Sequence, residues 1–349
     1  MSEGVGIRFL PFAGRRVAYA VAGDGPALVA PAWWVSHLQL DGDDPAFRAF
    51  WESVAGGYTL VRYDRLGVGL SDRDVPVAEL TLDNEVALLA ALLDELALED
   101  VVLVGGSSGG CAAIAFASRF PERVSRLLLY GAYADGSSIS SPEVRDAVMA
   151  TVRSHWGLGS RVLADIFLAG ATSAERDRFA RSQRAAASPE MAAALLEQIY
   201  RNDVRDDLKR LSAPTLVVHR RGDRAIPYRL GRELAAAIPG ATLVPLDGNA
   251  HFPWVGDSST VAHALRSVLD SGASDAGSRR MPEPAAMLLS RREHEVLVLV
   301  ADGLSDQEIA EQLILSQHTV HRHVANIRRK LGRGTRTAAV AEAARRGLL

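Results

Sequence analysis

The stretch VVLVGGSSGGCAAIAFA, residues 101–117, carries an apolar run into a Gly- and Ser-rich turn and then into a series of small residues. It reads as a strand, a sharp turn and a helix, with a G-x-S-x-G pattern at the turn. A turn of this kind is strained. Glycines beside the serine leave room for its hydroxyl to stand clear as a nucleophile. Two frames fit, Gly105-x-Ser107-x-Gly109 and Gly106-x-Ser108-x-Gly110. Such a serine needs a base to take its proton and an acid to orient the base, in the chain order Ser, Asp or Glu, His. PTLVVHRRGDRAIP places Asp223 just after an apolar run, and LVPLDGNAHFPW places His251 in the loop after the next one. His251 is then the expected general base, and Asp223 the group that fixes its tautomer. Alone, the serine motif is also compatible with a Gly-rich strand–helix turn without chemistry. The two partners in the required order weigh against that.

The elements that must hold these residues alternate in type. Ala27–Ala30, Thr59–Arg62, Val101–Val104, Arg126–Tyr130, Pro214–Val218 and Thr242–Leu246 read as buried strands, and Leu82–Leu96 and Cys111–Phe120 as helices. This alternation predicts an α/β fold around a mostly parallel sheet. The segment DSGASDAGSRRMPEPAAM, 270–287, has no apolar period and is rich in Ser, Gly, Ala and Pro, so residues 271–287 read as a flexible linker. The expected division is 1–270, linker, and 288–349.

From Ser290 to Leu349 the sequence reads as four short helices. Ser290 with Glu293 and Ser305 with Glu308 form S-x-x-E capping boxes, Ser316 and Thr335 sit at N-cap positions, and Gly303, Gly332 and Gly347 fall at C-terminal turns. In the third helix Val320, Val324, Ile327 and Leu331 form one apolar stripe, with His318, Arg322, Ala325 and Arg329 on the opposite face. A helix so divided can hold a core with one side and offer cations to a DNA major groove with the other.

Two families are resembled. LSRREHEVLVLVADGLSDQEIAEQL, SQHTVHRHVANIRRKLG and TRTAAVAEAARRGLL together resemble the DNA-binding domain of LuxR-type transcription regulators. The resemblance implies a small all-α helix-turn-helix domain whose third helix, Ser316 to Lys330, enters the major groove. It places Thr319, His321, Arg322, Arg329 and Lys330 at or near DNA; the position of His321 is often lysine in that family. RVAYAVAGDG, RYDRLGVGLSDR, LVGGSSGG with ASRFPERV, and RRGDRAIP with GNAHFPW resemble the α/β-hydrolase fold over residues 7–270. This second resemblance implies a mostly parallel sheet with a helical lid at about 135–207. It selects Ser107 as nucleophile, with Asp223 and His251 completing the triad, and assigns oxyanion-hole N–H groups to Ser108 and Trp33. Pro31-Ala32-Trp33-Trp34 stands where many active members have His-Gly. Trp33, Trp34 and His37 are expected at a ligand pocket.

Composition agrees with a two-part protein. Apolar residues make up 48% and charged residues 23%, as in ordinary soluble domains, and no apolar run is long enough to span a membrane. MSEGVGIRFLPF lacks the basic start and apolar core of a secretory signal, and Cys111 is the only cysteine, so a cytoplasmic protein without disulfides is expected. Residues 290–349 hold ten Arg and Lys against seven Asp and Glu, a balance of +3, which leaves −6 for the rest. A basic module on an acidic body suits a DNA reader attached to a non-DNA-binding domain. Lysine occurs only at 209 and 330, and no acidic pocket with a partner lysine is apparent, which argues against a phosphorylated response regulator. No P-loop, metal cluster or dinucleotide fingerprint appears, so no cofactor and no metal are expected. The reading is a DNA-binding transcription regulator, acting as a homodimer on duplex DNA, whose hydrolase-fold domain senses a small molecule. RNA polymerase is a further partner such a regulator would meet. The alternative is a serine hydrolase of esterase type with an appended DNA-binding module.

Overall fold

The computed structural model describes residues 6–271, 289, 291–313, 315–331, 333–345 and 349. The chain divides into two compact units, Met1–Met281 and Pro282–Leu349. Residue 271 ends a helix, and the rest of the linker expected at 271–287 lies outside the described residues, as do Ser290, Gly332 and Gly347.

The larger unit is built on one eight-stranded sheet. Its strands are β1 (Ile7–Phe12), β2 (Arg15–Ala22), β3 (Ala27–Ala30), β4 (Thr59–Tyr63), β5 (Val101–Gly106), β6 (Val124–Tyr130), β7 (Thr215–Arg220) and β8 (Thr242–Leu246). They lie in the order β1-β2-β4-β3-β5-β6-β7-β8; β2 is antiparallel to both neighbours and all other pairs are parallel. Every residue of β3, β5 and β7 is buried, as expected of central parallel strands covered on both faces. The helix Ser108–Arg119 follows β5 and is buried from Ser108 through Ser118, because its Gly and Ala residues let it lie close on the sheet.

The hairpin β1–β2 was not among the strands read from the sequence. Its two-residue turn is Ala13-Gly14, both at positive φ (50° and 78°), as a primed turn requires. Alanine in place of the usual Asn or Asp hides the turn, and Pro11 argues against a strand except at a sheet edge, which is where β1 lies.

Between β6 and β7, over the span where a lid is expected, stand the helices Pro142–Ser154, Trp156–Phe167, Ser173–Ala186 and Pro189–Arg201. The caps Ser141, Thr172 and Ser188 of the first, third and fourth of these helices each accept a backbone N–H of the first turn, and Thr172 with Glu175 closes a reciprocal capping box.

Among its described residues the smaller unit has four helices, Arg291–Ala301, Asp306–Leu313, Gln317–Lys330 and Arg336–Arg345. Ser305 and Glu308 bond reciprocally, Ser316 accepts the Thr319 N–H and Thr335 accepts the Ala338 N–H. Val296, Leu297, Ile309, Val320, Val324, Ile327, Leu331, Ala339 and Ala343 form its core. No helix among the described residues is long and apolar enough to cross a membrane.

Candidate active site and DNA-binding face

Ser107 links β5 to the helix Ser108–Arg119 with φ 50° and ψ −128°, a conformation that L-residues adopt only under constraint. Its N–H donates to the Tyr130 carbonyl of β6 (3.0 Å), which pins the turn to the sheet. Asp223 lies beyond β7. One carboxylate oxygen accepts the N–H groups of Ala225 (2.9 Å) and Ile226 (3.1 Å), and the other lies 2.8 Å from Nδ1 of His251. His251 is 1% exposed, and its Nε2 has no hydrogen-bond partner. A ring bound to a carboxylate through Nδ1 presents Nε2 as a proton acceptor, the state a general base needs.

The histidine is held by its backbone. Its N–H donates to the carbonyl of Phe167 in the lid (2.8 Å), and the Phe167 ring lies 5.7 Å from the imidazole. From the sheet side, Arg220 at the end of β7 donates to the carbonyls of Ala250 (3.0 Å), Phe252 (3.1 Å) and Asp257 (2.9 Å). A second histidine, His219, bonds the Ile226 carbonyl through Nε2 (2.9 Å), with that atom 3.6 Å from the Asp223 carboxylate. Burial lowers its pKa, with Asp223 opposing. Arg220 and His219 were not singled out from the sequence. The signal was there: a cation and an imidazole end a strand whose other residues read as pure core.

The turn Pro31–Trp34 follows β3. Arg65 donates to the Ala32 carbonyl (2.7 Å), the Ser108 hydroxyl donates to the Trp33 carbonyl, and the Trp34 indole donates to Gln183 of the lid (2.9 Å). Three anchors thus fix the four residues, so the turn's rigidity does not depend on its proline alone. The Trp33 N–H finds no acceptor among the described residues. Ser108 opens its helix, so its N–H lacks an intrahelical acceptor. Both are main-chain donors of the kind an oxyanion hole uses. The Trp33 ring lies against Gly106, where an added Cβ would come within 2.1 Å of the indole. It is nearly parallel to the rings of Tyr130 and Phe252, at centroid distances of 6.0 and 6.4 Å. Trp33 and Trp34 both line a cavity, whereas His37 does not: its Nδ1 accepts the Leu40 N–H (3.4 Å) and caps the helix Leu38–Asp43.

In the smaller unit the described cations are largely engaged. Arg292 pairs with Glu295, Lys330 with Glu293 (2.8 Å), Arg333 with Glu342 and Arg336 with Asp306. Lys330 is 15% and Glu293 5% exposed, so this pair ties the third helix to the first inside the unit. His321 is exposed at 75% of its side chain and has Nδ1 3.3 Å from Asp306. Thr319 bonds its own cap, Ser316. Arg322 is exposed and has no ion pair among the described residues. The side chains of His318 and Arg329 lie outside the described residues.

Family models match both units. That of the alpha/beta hydrolase fold matches residues 34–257, and that of the bacterial regulatory proteins of the luxR family matches residues 287–343. The chain belongs to the alpha/beta hydrolase fold family and carries a luxR-family domain. Among similar proteins is a 2-hydroxy-6-oxononadienedioate/2-hydroxy-6-oxononatrienedioate hydrolase of Cupriavidus pinatubonensis, 31% identical over 54% of this chain and 68% of that protein. Another is a pimeloyl-[acyl-carrier protein] methyl ester esterase of Xanthomonas campestris pv. campestris, 31% identical over 70% of this chain and 95% of its own. A solved hydrolase from Pseudomonas aeruginosa PA01 superposes with a TM-score of 0.65 at 25% identity, over 75% of this chain and 98% of that one.

Proposed function

We propose that this chain is a one-component transcription regulator: the luxR-family domain binds duplex DNA, and the hydrolase-fold unit binds a small molecule that biases it. The observation carrying the DNA half is the third helix, Gln317–Lys330. Its apolar stripe is buried, and Arg322 stands exposed on the other side without a partner among the described residues. The luxR-family match supports the same reading. A module of balance +3 binds weakly alone, so the chain acts as a homodimer, in which linked copies gain by effective concentration. Its place of action is the cytoplasm, where it meets promoter DNA and RNA polymerase. Selection of bound fragments from sheared genomic DNA by the full chain, followed by footprinting, tests this. Specific protection of paired half-sites is expected; equal retention of random DNA would overturn it.

A second reading, an active serine hydrolase, is favoured by one observation: His251 keeps a free Nε2 while Asp223 holds its Nδ1. In that reaction Ser107 Oγ attacks an acyl carbon as its proton passes to His251 Nε2. The N–H groups of Ser108 and Trp33 receive the developing oxyanion. His251 then protonates the leaving alcohol, and water, deprotonated by the same nitrogen, releases the acid and restores Ser107. The relatives named as a methyl ester esterase and a dienedioate hydrolase support an acyl substrate. Turnover of a 4-nitrophenyl ester, lost in Ser107→Ala, is expected; a full chain inert to such esters and to fluorophosphonates leaves the unit as a receptor only.

A further inference from the structure

Against the Pro31–Trp34 turn lies a cavity of about 70 Å³ whose lining does not include Ser107, Asp223 or His251. Four of the chain's five tryptophans, Trp33, Trp34, Trp51 and Trp254, form its walls, and two charged residues, Asp41 and Arg62, face it. Arg62 lays one face of its guanidinium over the Phe47 ring, 4.6 Å from the centroid. Among the described residues its N–H groups make no hydrogen bond and no ion pair. The nearby acids do not supply the missing acceptor. Asp64 already accepts from the Ser36 hydroxyl (2.6 Å) and the N–H groups of Leu38 (3.1 Å) and Leu70 (3.0 Å), and among the described residues it makes no ion-pair contact with Arg62. Among the described residues the Asp41 carboxyl accepts only the His37 N–H, at 3.3 Å, and is not in ion-pair contact with Arg62.

A guanidinium with its donor edge bare, in an apolar chamber, is built for a planar oxyanion. We propose that this cavity binds a small monocarboxylate, its carboxylate on Arg62 with Asp41 alongside and its short chain against the indoles. The volume is that of about five water molecules, which admits a chain of a few carbons. A cationic ligand would meet Arg62, and a dianion would bring more charge than one guanidinium balances. Asp41 makes the site sensitive to pH. Burial pushes its carboxyl up to about 7; Arg62 opposes the rise, Asp64 and Asp44 add to it, and the His37 N–H opposes it. Protonated, Asp41 donates to the ligand; ionised, it repels it. Affinity therefore falls as pH rises through about 7.

The proposal rests on the reading that this unit binds a small molecule, but not on the triad. The test is a titration of the full chain with butyrate, read by indole fluorescence, with butyramide as the neutral control. A saturable butyrate response that butyramide does not give is expected, weaker at about pH 8 than at about pH 6. Arg62→Gln should reduce affinity about tenfold or more, and Arg62→Lys less. Asp41→Asn should keep binding and lose its pH dependence. Equal responses to acid and amide, unchanged affinity in a folded Arg62→Gln, or an unaltered pH dependence in Asp41→Asn would each overturn the proposal. Should Arg62→Gln not fold, the acid–amide contrast and Asp41→Asn still decide. Ester turnover without butyrate binding would sink this site alone; butyrate binding without turnover, retained in Ser107→Ala, would sink the triad reading alone.

Discussion

Arg220 grips the carbonyls of Ala250 and Phe252, the two residues that flank His251. The guanidinium is 2% exposed and has no carboxylate in ion-pair contact among the described residues; its partners are main-chain carbonyls. Because Arg220 and Asp223 leave the same strand end, this grip sets the distance between Asp223 and His251.

Arg220→Met should therefore cost on the order of 3–5 kcal/mol of stability, as several buried acceptors lose their donor together. Below its melting point the variant should still bind butyrate but turn over esters far more slowly. Denaturant melts and ester kinetics check both halves. A variant as stable and as fast as the parent would show that the His251 loop holds itself.

Ser107 and Ser108 should separate cleanly. Ser107→Ala removes the proposed nucleophile and should abolish fluorophosphonate labelling. Ser108→Ala keeps its main-chain N–H but releases the Trp33 carbonyl, so the loss should stay below the roughly hundredfold of a missing oxyanion donor. Mass spectrometry of the labelled peptide locates the adduct; an adduct on Ser108 would reverse the assignment.

Arg322 and Lys330 should behave differently on DNA. Arg322→Ala should relax base preference by about 1–3 kcal/mol if it reads a base edge. Lys330→Ala leaves the carboxylate of Glu293 buried without its ammonium partner, so the unit should lose about 2–3 kcal/mol of stability, below the cost for a fully enclosed pair. Thermal melts beside binding titrations distinguish the two. A Lys330→Ala chain of normal stability with uniformly weakened binding would return that lysine to the DNA backbone.

Asp41 gives stability a pH dependence of definite sign. Its folded carboxyl titrates near 7, while in the unfolded chain it releases its proton near 4. Between those values the folded state holds a proton the unfolded state has lost. This contribution is complete below about pH 4 and disappears as pH rises through about 7. Asp64 and Glu85 are raised in the same direction by burial, so Asp41→Asn should flatten the decline without removing it. Chemical denaturation across the window measures it; an unchanged slope would exclude Asp41.

The central strands β3 and β5 were legible because burial on both faces leaves no polar interruption, as in ALVA and VVLVGG. The hairpin at Ala13-Gly14 was not, since its turn lacks the usual residues. The positions of Ser107, Asp223 and His251 follow from chain order and strand ends, which a sequence displays. Arg62, Arg220 and the Lys330–Glu293 pair depend on which side chains meet across the fold. Arg62 and Arg220 had a local trace, each an arginine in a largely apolar strand, but TLVRY does not say what faces the charge. The family resemblance likewise put Lys330 with Arg329 at or near DNA and gave no hint of a carboxylate 37 residues earlier.

The indole of Trp33 occupies the space a methyl group at position 106 would need. The two positions are therefore bound together in descent. A lineage that keeps the broad ring at 33 must keep glycine at 106, and one that acquires a side chain at 106 must first have given up the ring. Homologues should thus show the pair changing in concert, with the ring's loss preceding the glycine's.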